Sequence, residues 1–112
     1  MNRCITMTLT AALLLGAATS QAAAPADAGA ALSKASRCYS CHDVSNVLIG
    51  PPWQAIAARY ANDRRVMETV LARKILLGGG GNWGVVPMVP NEHVKPEDAL
   101  RLARWVLDQQ PK

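Results

Sequence analysis

Phenylalanine is absent from these 112 residues, and the aromatic side chains amount to three Trp and two Tyr. A domain this small buries only a modest fraction of its surface, and a core without Phe needs other filling, so a bound group is expected. Dense charge of one sign is also missing. The net charge is +4, and Arg64-Arg65 and Arg73-Lys74 are the only adjacent basic pairs. Nucleic-acid binding calls for a basic stripe with interleaved aromatics, which this is not. A basic rim that steers an acidic protein partner fits the charge better. No internal repeat appears. No stretch alternates with the period of a half-buried strand. No apolar run reaches the roughly 20 residues that span a bilayer.

The apolar run that does exist is near the start. Arg3 supplies a positive charge, Ile5 to Ala18 is uncharged and rich in Leu and Ala, and small residues follow. This is the pattern of a cleaved secretory signal covering residues 1–22, with residues 23–112 as the single mature domain. Both Ser20-Gln21-Ala22 and Ala22-Ala23-Ala24 fit the cleavage pattern; a cut after Ala22 is favoured because a cut after Ala24 would leave Pro25 first. The competing reading is an anchor that stays on, for which the run is short. Removal takes Cys4 and Arg3, leaving 11 basic against 8 acidic residues, or +3, and only Cys38 and Cys41. In the periplasm, the compartment this signal implies, two such thiols form a disulfide unless something else claims them.

The pattern of the mature chain is all-α. Asp27 is placed to cap a helix over about 28–37 with Ala28, Ala31, Leu32 and Ala35 on one side. A short helix is expected over 53–61. A third runs over 64–77 behind Asp63, with Met67, Val70, Leu71 and Ile75 as its inner face. Gly78-Gly79-Gly80-Gly81 stops it, and residues 78–95 form a Gly/Pro-rich loop. The last helix starts at Pro96, has Glu97 and Asp98 in its first turn, carries Ala99, Leu102, Ala103, Val106 and Leu107 as its apolar stripe, and ends near Gln110.

Cys38-Tyr39-Ser40-Cys41-His42 is Cys-x-x-Cys-His, the attachment motif of c-type haem. Residues three apart on a helical turn share a face, so both thiols reach the two vinyl groups on one side of the macrocycle, and the next residue brings an imidazole under the iron. A structural zinc site needs about four ligands, and His42 is too close to Cys41 to act as an independent arm beside His93. A thioredoxin-like pair needs a βαβ context that is missing. A plain disulfide leaves the His, the export signal and the absent Phe unexplained.

The second axial ligand expected is Met88, in Pro87-Met88-Val89-Pro90. Flanking prolines hold the backbone extended and remove amide donors, so the segment can aim one side chain without secondary structure. A thioether ligand raises the iron's reduction potential. The plainer reading makes Met88 a loop hydrophobe. The other candidates are weaker: Met67 reads as core or pocket lining, His93 as a solvated side chain in Asn91-Glu92-His93, and Met7 leaves with the signal.

With Ile49-Gly50-Pro51, Asn82-Trp83-Gly84 and Leu102-Ala103-Arg104-Trp105-Val106-Leu107 added, the chain resembles the small bacterial class I cytochromes c over about residues 28–110. In particular it is similar to the short periplasmic type that donates electrons to nitrite reductases and terminal oxidases. The resemblance implies about four short helices wrapped around one covalent haem. It implies that the Pro51 carbonyl accepts from the axial imidazole, and that Trp83 donates to a haem propionate. It further implies Lys74 as a cation near a propionate, Asn91 as an amide that holds the ligand sulfur, and Trp105 packed between the first and last helices. Pro51 as a mere turn residue and Trp83 as a mere pocket wall remain open readings. The sequence departs from the family in two places: the first helix lacks the usual aromatic, and Val89 replaces a proline often found after the Met.

The expected function is single-electron transfer by a six-coordinate haem, with redox proteins docking briefly at the haem edge, and no enzyme activity of the chain's own. It would act as a free carrier or as a subunit of a respiratory complex, without stable membrane insertion. The alternative is a five-coordinate or weakly ligated haem that binds gas or peroxide.

Overall fold

The computed structural model describes residues 26–112. The segment read as an export signal, and Cys4 with it, lies outside them. Prolines and glycines set where the helices start and stop. Helix α1 covers Ala26–Ala35, so Asp27 falls inside its first turn and does not precede it. The helix gives way at Arg37, which takes the left-handed conformation (φ 63°) and returns its N–H to the Lys34 carbonyl at 3.0 Å. Pro52, extended at φ −66° and ψ 145°, leads into α2, Trp53–Arg59. This helix is two residues shorter than expected, because Ala61–Asp63 tightens into a 3₁₀ turn. Helix α3 covers Arg64–Leu77 and ends at Gly78, φ 67°; Asp63 precedes it without a side-chain cap. Helix α4 covers Pro96–Leu107. It stops short of Gln110 because the side-chain amides of Gln109 and Gln110 turn back, donating to the Trp105 and Ala57 carbonyls, each at 2.9 Å.

The amphipathic stripe of α4 is the centre of the core. Ala99, Leu102, Ala103 and Leu107 are essentially inaccessible, and α3 packs along them through Leu71, Ala72, Ile75 and Leu76. The inner face expected for α3 divides. Leu71 and Ile75 reach the core, while Val70 stays half exposed, and Met67, Val70, Leu71 and Lys74 line a cavity. In α1 the buried residue is Ser33, with Leu32 partly buried, whereas Ala31 and Ala35 face solvent; Ser36, just past the helix end, is buried as well. Burial of Ser33 is tolerated because its hydroxyl donates to the Ala30 carbonyl at 2.8 Å. The missing aromatic in α1 is compensated from the other side. The Trp105 indole lies directly on Gly29, where any Cβ would collide with it. It also meets Trp53 edge-on at 4.7 Å and 71°, so three helices converge on one indole. The start of α3 is joined to the end of α4 by Arg64–Asp108 (2.7 Å) and Arg104–Glu68 (2.9 Å). Among the described residues there is no strand, only an isolated bridge pairing Gly79 with Met88.

Candidate functional site

The turn at Cys38 brings the reactive groups together. Residues Cys38–Ser40 form a 3₁₀ turn, and the N–H groups of Cys41 and His42 both return to the Cys38 carbonyl, at 3.2 and 3.0 Å. This one turn sets Cys38, Cys41 and His42 on the same cavity wall. Both thiols are free and half-buried, and burial pushes the Cys38 thiol above its ordinary pKa.

His42 is held from behind. Its Nδ1 lies 2.8 Å from the Pro51 carbonyl. A carbonyl can only accept, so Nδ1 carries the proton and Nε2 keeps its lone pair for a metal. Trp53, almost fully buried, lies nearly parallel to the imidazole at 6.2 Å. Gly50 closes the pocket: a Cβ there would sit 2.5 Å from the imidazole Cε1. The loop itself is shaped by Asp43, whose carboxylate accepts the main-chain N–H groups of Asn46 (2.8 Å) and Ser45 (3.0 Å). Those bonds, Asn46's first, lower its pKa.

Met88 faces the same cavity from the 78–95 loop. Its main chain is fixed in both directions: Met88 N–H donates to the Gly79 carbonyl at 3.0 Å, and Gly79 N–H to the Met88 carbonyl at 2.8 Å. Gly78 must be glycine, since it combines φ 67° with contact against the Met88 carbonyl. The Asn91 amide is engaged differently from the expectation that it holds the sulfur. Its Nδ2 donates to the Ile75 carbonyl (2.9 Å) and the Val89 carbonyl (3.2 Å). The Ile75 carbonyl, in the last turn of α3, also accepts the Asn91 main-chain N–H at 3.2 Å, so Asn91 ties the loop to the helix end through both its amides. Asn91 therefore positions Met88 through the backbone beside it. His93 is exposed, as a solvated residue would be, but Nε2 also donates to the Ser36 carbonyl at 3.2 Å.

Between these walls is a cavity of about 600 Å³, the size of small-molecule and cofactor sites. Its lining is mainly apolar and includes Ile49, Ile56, Leu71, Val86 and Val89, together with Lys74, Trp83 and Asn91. Ile49, Val86 and Val89 expose 62–67% of their surface. That much contiguous apolar surface suits a large flat hydrophobic group. No carboxylate is among the lining residues. Two thiols, one imidazole with its tautomer fixed and one thioether are the donor set a covalent haem needs, so the residues present fit that group. Sequence reasoning missed Gly50, Trp53 and Gly79 as parts of the site. Gly50 stood in a quoted landmark; the other two carry no local signal of their role.

The cytochrome c family profile matches residues 26–110. The chain is 45% identical to cytochrome c-552 of Nitrosomonas europaea over 82 residues, covering 73% of this chain and 79% of that protein. It is 42% identical to cytochrome c-551 of Azotobacter vinelandii over 81 residues, covering 72% of this chain and 96% of the relative. The crystal structure of wild-type Nitrosomonas europaea cytochrome c552 superposes with a TM-score of 0.69 at 43% identity, over 72% of this chain and 99% of that one.

Proposed function

The chain belongs to the cytochrome c family and is an electron carrier with one covalently attached haem, and from that premise we propose that Cys38 and Cys41 form the two thioethers while His42 and Met88 ligate the iron. The haem supplies a centre that gains and loses one electron without making or breaking bonds to a substrate. The chain's residues do the rest. His42 presents Nε2 because Pro51 holds the proton on Nδ1, which also raises the imidazole's basicity. Met88 offers a soft sulfur that favours the reduced iron, from a backbone held by both hydrogen bonds of its bridge to Gly79. Trp83 and Lys74 both line the cavity, where Trp83 would donate its indole N–H to a propionate and Lys74 would neutralise propionate charge.

The observation that carries this reading is the shared cavity: the two thiols, Nε2 of a tautomer-fixed imidazole and the Met88 side chain all line one apolar space. Anchoring on both sides keeps the site nearly unchanged between oxidation states, which favours fast transfer. The chain works in the periplasm, exported by residues 1–22, and its redox partners dock transiently over a small interface steered by charge. Among the described residues no helix is long and apolar enough to cross a membrane.

Met88→Ala tests the ligand set. The haem stays attached, the reduction potential falls sharply, and the ferrous variant binds carbon monoxide at neutral pH while the parent protein does not. An unchanged potential assigns the sixth position to another residue. A parent protein that binds carbon monoxide readily, and lacks the weak far-red methionine–iron band in its ferric state, is a gas-binding haem protein instead.

A further inference from the structure

Arg59, the last residue of α2, has no carboxylate partner; the ion pairs among the described residues use Arg64, Arg101 and Arg104. Its guanidinium lies over the Trp83 ring, 4.8 Å from the centroid, and 5.6 Å from that of Tyr60. Its Nη1 donates to the Asn82 carbonyl at 2.8 Å. Tyr60 and Trp83 in turn meet edge-to-face at 6.4 Å and 86°. Tyr60, Asn82 and Trp83 line the cavity and Arg59 does not, so the guanidinium grips the wall from outside.

The segment it grips has little else to hold it. Gly81 and Gly84 both adopt positive φ, 94° and 118°, and face open space. One main-chain bond closes the turn, from Gly81 N–H to the Gly84 carbonyl at 3.0 Å. Trp83 stays 40% exposed, and Val85 beside it is almost fully so. A ring in such a turn samples many orientations unless something outside the turn selects one.

We propose that Arg59 is a positioning residue for the haem: by clamping Trp83 and the Asn82 carbonyl to the end of α2, it fixes the indole N–H toward the propionate and thereby helps set the reduction potential. The inference rests on the haem reading above. A planar cation suits the role, because one guanidinium can stack on an indole and donate to a carbonyl in its own plane, which an ammonium cannot do together. The stack and the charge-assisted hydrogen bond jointly favour the clamped orientation by about tenfold.

The test uses the haem-loaded protein. In Arg59→Met, the Trp83 indole N–H of the ferrous form, followed by NMR, exchanges about tenfold faster, and the reduction potential falls. Arg59→Lys recovers part of both effects. In a Trp83→Phe background, adding Arg59→Met moves the potential much less than it does alone. Parent-like exchange and potential in Arg59→Met would overturn the proposal. So would an equal fall in potential with and without Trp83, since the charge would then act directly. Should Arg59→Met not accumulate, Arg59→Gln gives the same readings with the charge removed and an amide left to meet Asn82. If the haem reading itself is wrong, the parent protein has no haem potential to measure, an outcome distinct from variants that match it.

Discussion

The two halves of the molecule are held together by different means. The helical half, where α1, α3 and α4 meet, satisfies itself: Ala99, Ala103, Leu102 and Leu107 are sealed by neighbouring helices, and Trp105 rests on Gly29. The loop half, residues 41–52 and 78–95, turns Ile49, Val86 and Val89 into a shared cavity and leaves most of their surface uncovered by protein. Its order rests on single contacts, such as the bridge at Gly79 and Met88, the Asn91 amide on two carbonyls and the Asx turn at Asp43. The contrast teaches that the helices form a frame specified by apolar periodicity, whereas the loops are organised around a group that the chain itself does not supply.

The strongest way to break this contrast is to remove the anchor. The double variant Cys38→Ala, Cys41→Ala should carry no covalent haem, seen as loss of colour from the chain on acid-acetone extraction. Hydrogen exchange should then lose protection first at Met88, Gly79 and Asn91, with the α3–α4 amides outlasting them. Equal loss in both halves would show that the frame also depends on the haem. Leu107→Ala strikes the frame, at a leucine that does not line the cavity. A fully buried leucine replaced by alanine should cost about 2–5 kcal/mol in urea unfolding, with the haem still attached and the spectrum of the folded form unchanged.

Gly50→Ala is a sharper probe of the loop half. The added methyl meets the imidazole, so a cost of about 1–3 kcal/mol is expected. Because the clash pushes His42 off Pro51, the reduction potential should move as well, which Leu107→Ala should not cause. The smallest effect belongs to Asp43. Its pKa is lowered in the fold, so its contribution is present above the ordinary carboxylate value and is lost as pH falls through the lowered one. Asp43→Asn should lower stability slightly at neutral pH and leave it almost unaltered once the carboxylate of the parent is protonated, so the acid limb below about pH 4 flattens slightly.

Much of this was legible in the chain, and the reasons are local. The Cys38–His42 turn is readable because five consecutive residues carry a complete chemistry. The end of α3 at Gly78 and the start of α4 at Pro96 follow from single residues whose backbone preferences outweigh their surroundings. Met88 stood out because prolines flank it. The misreadings have equally definite causes. The apolar side expected for α1 was Ala28, Ala31, Leu32 and Ala35; Leu32 packs on the core, yet Ala31 and Ala35 face solvent and Ser33 is buried instead, because a hydroxyl that bonds its own helix is nearly as easily buried as a methyl group. Val70 fits a core pattern, but that stripe of α3 faces the cavity, where Met67 takes the pocket-lining role the sequence left open to it; helical periodicity does not distinguish a protein neighbour from a cofactor. Asn91 was expected on the sulfur and serves carbonyls instead.

The sequence by itself determined an all-helical chain, its punctuation by glycine and proline, and a covalent haem site, because each depends on residues within a few positions of one another. Tertiary structure alone decided that Trp105 docks on Gly29, that Gly79 pairs with Met88 and that Arg59 grips Trp83. These partners lie 9 to 76 positions apart in the chain, and their meeting depends on which surfaces the packed helices bring face to face.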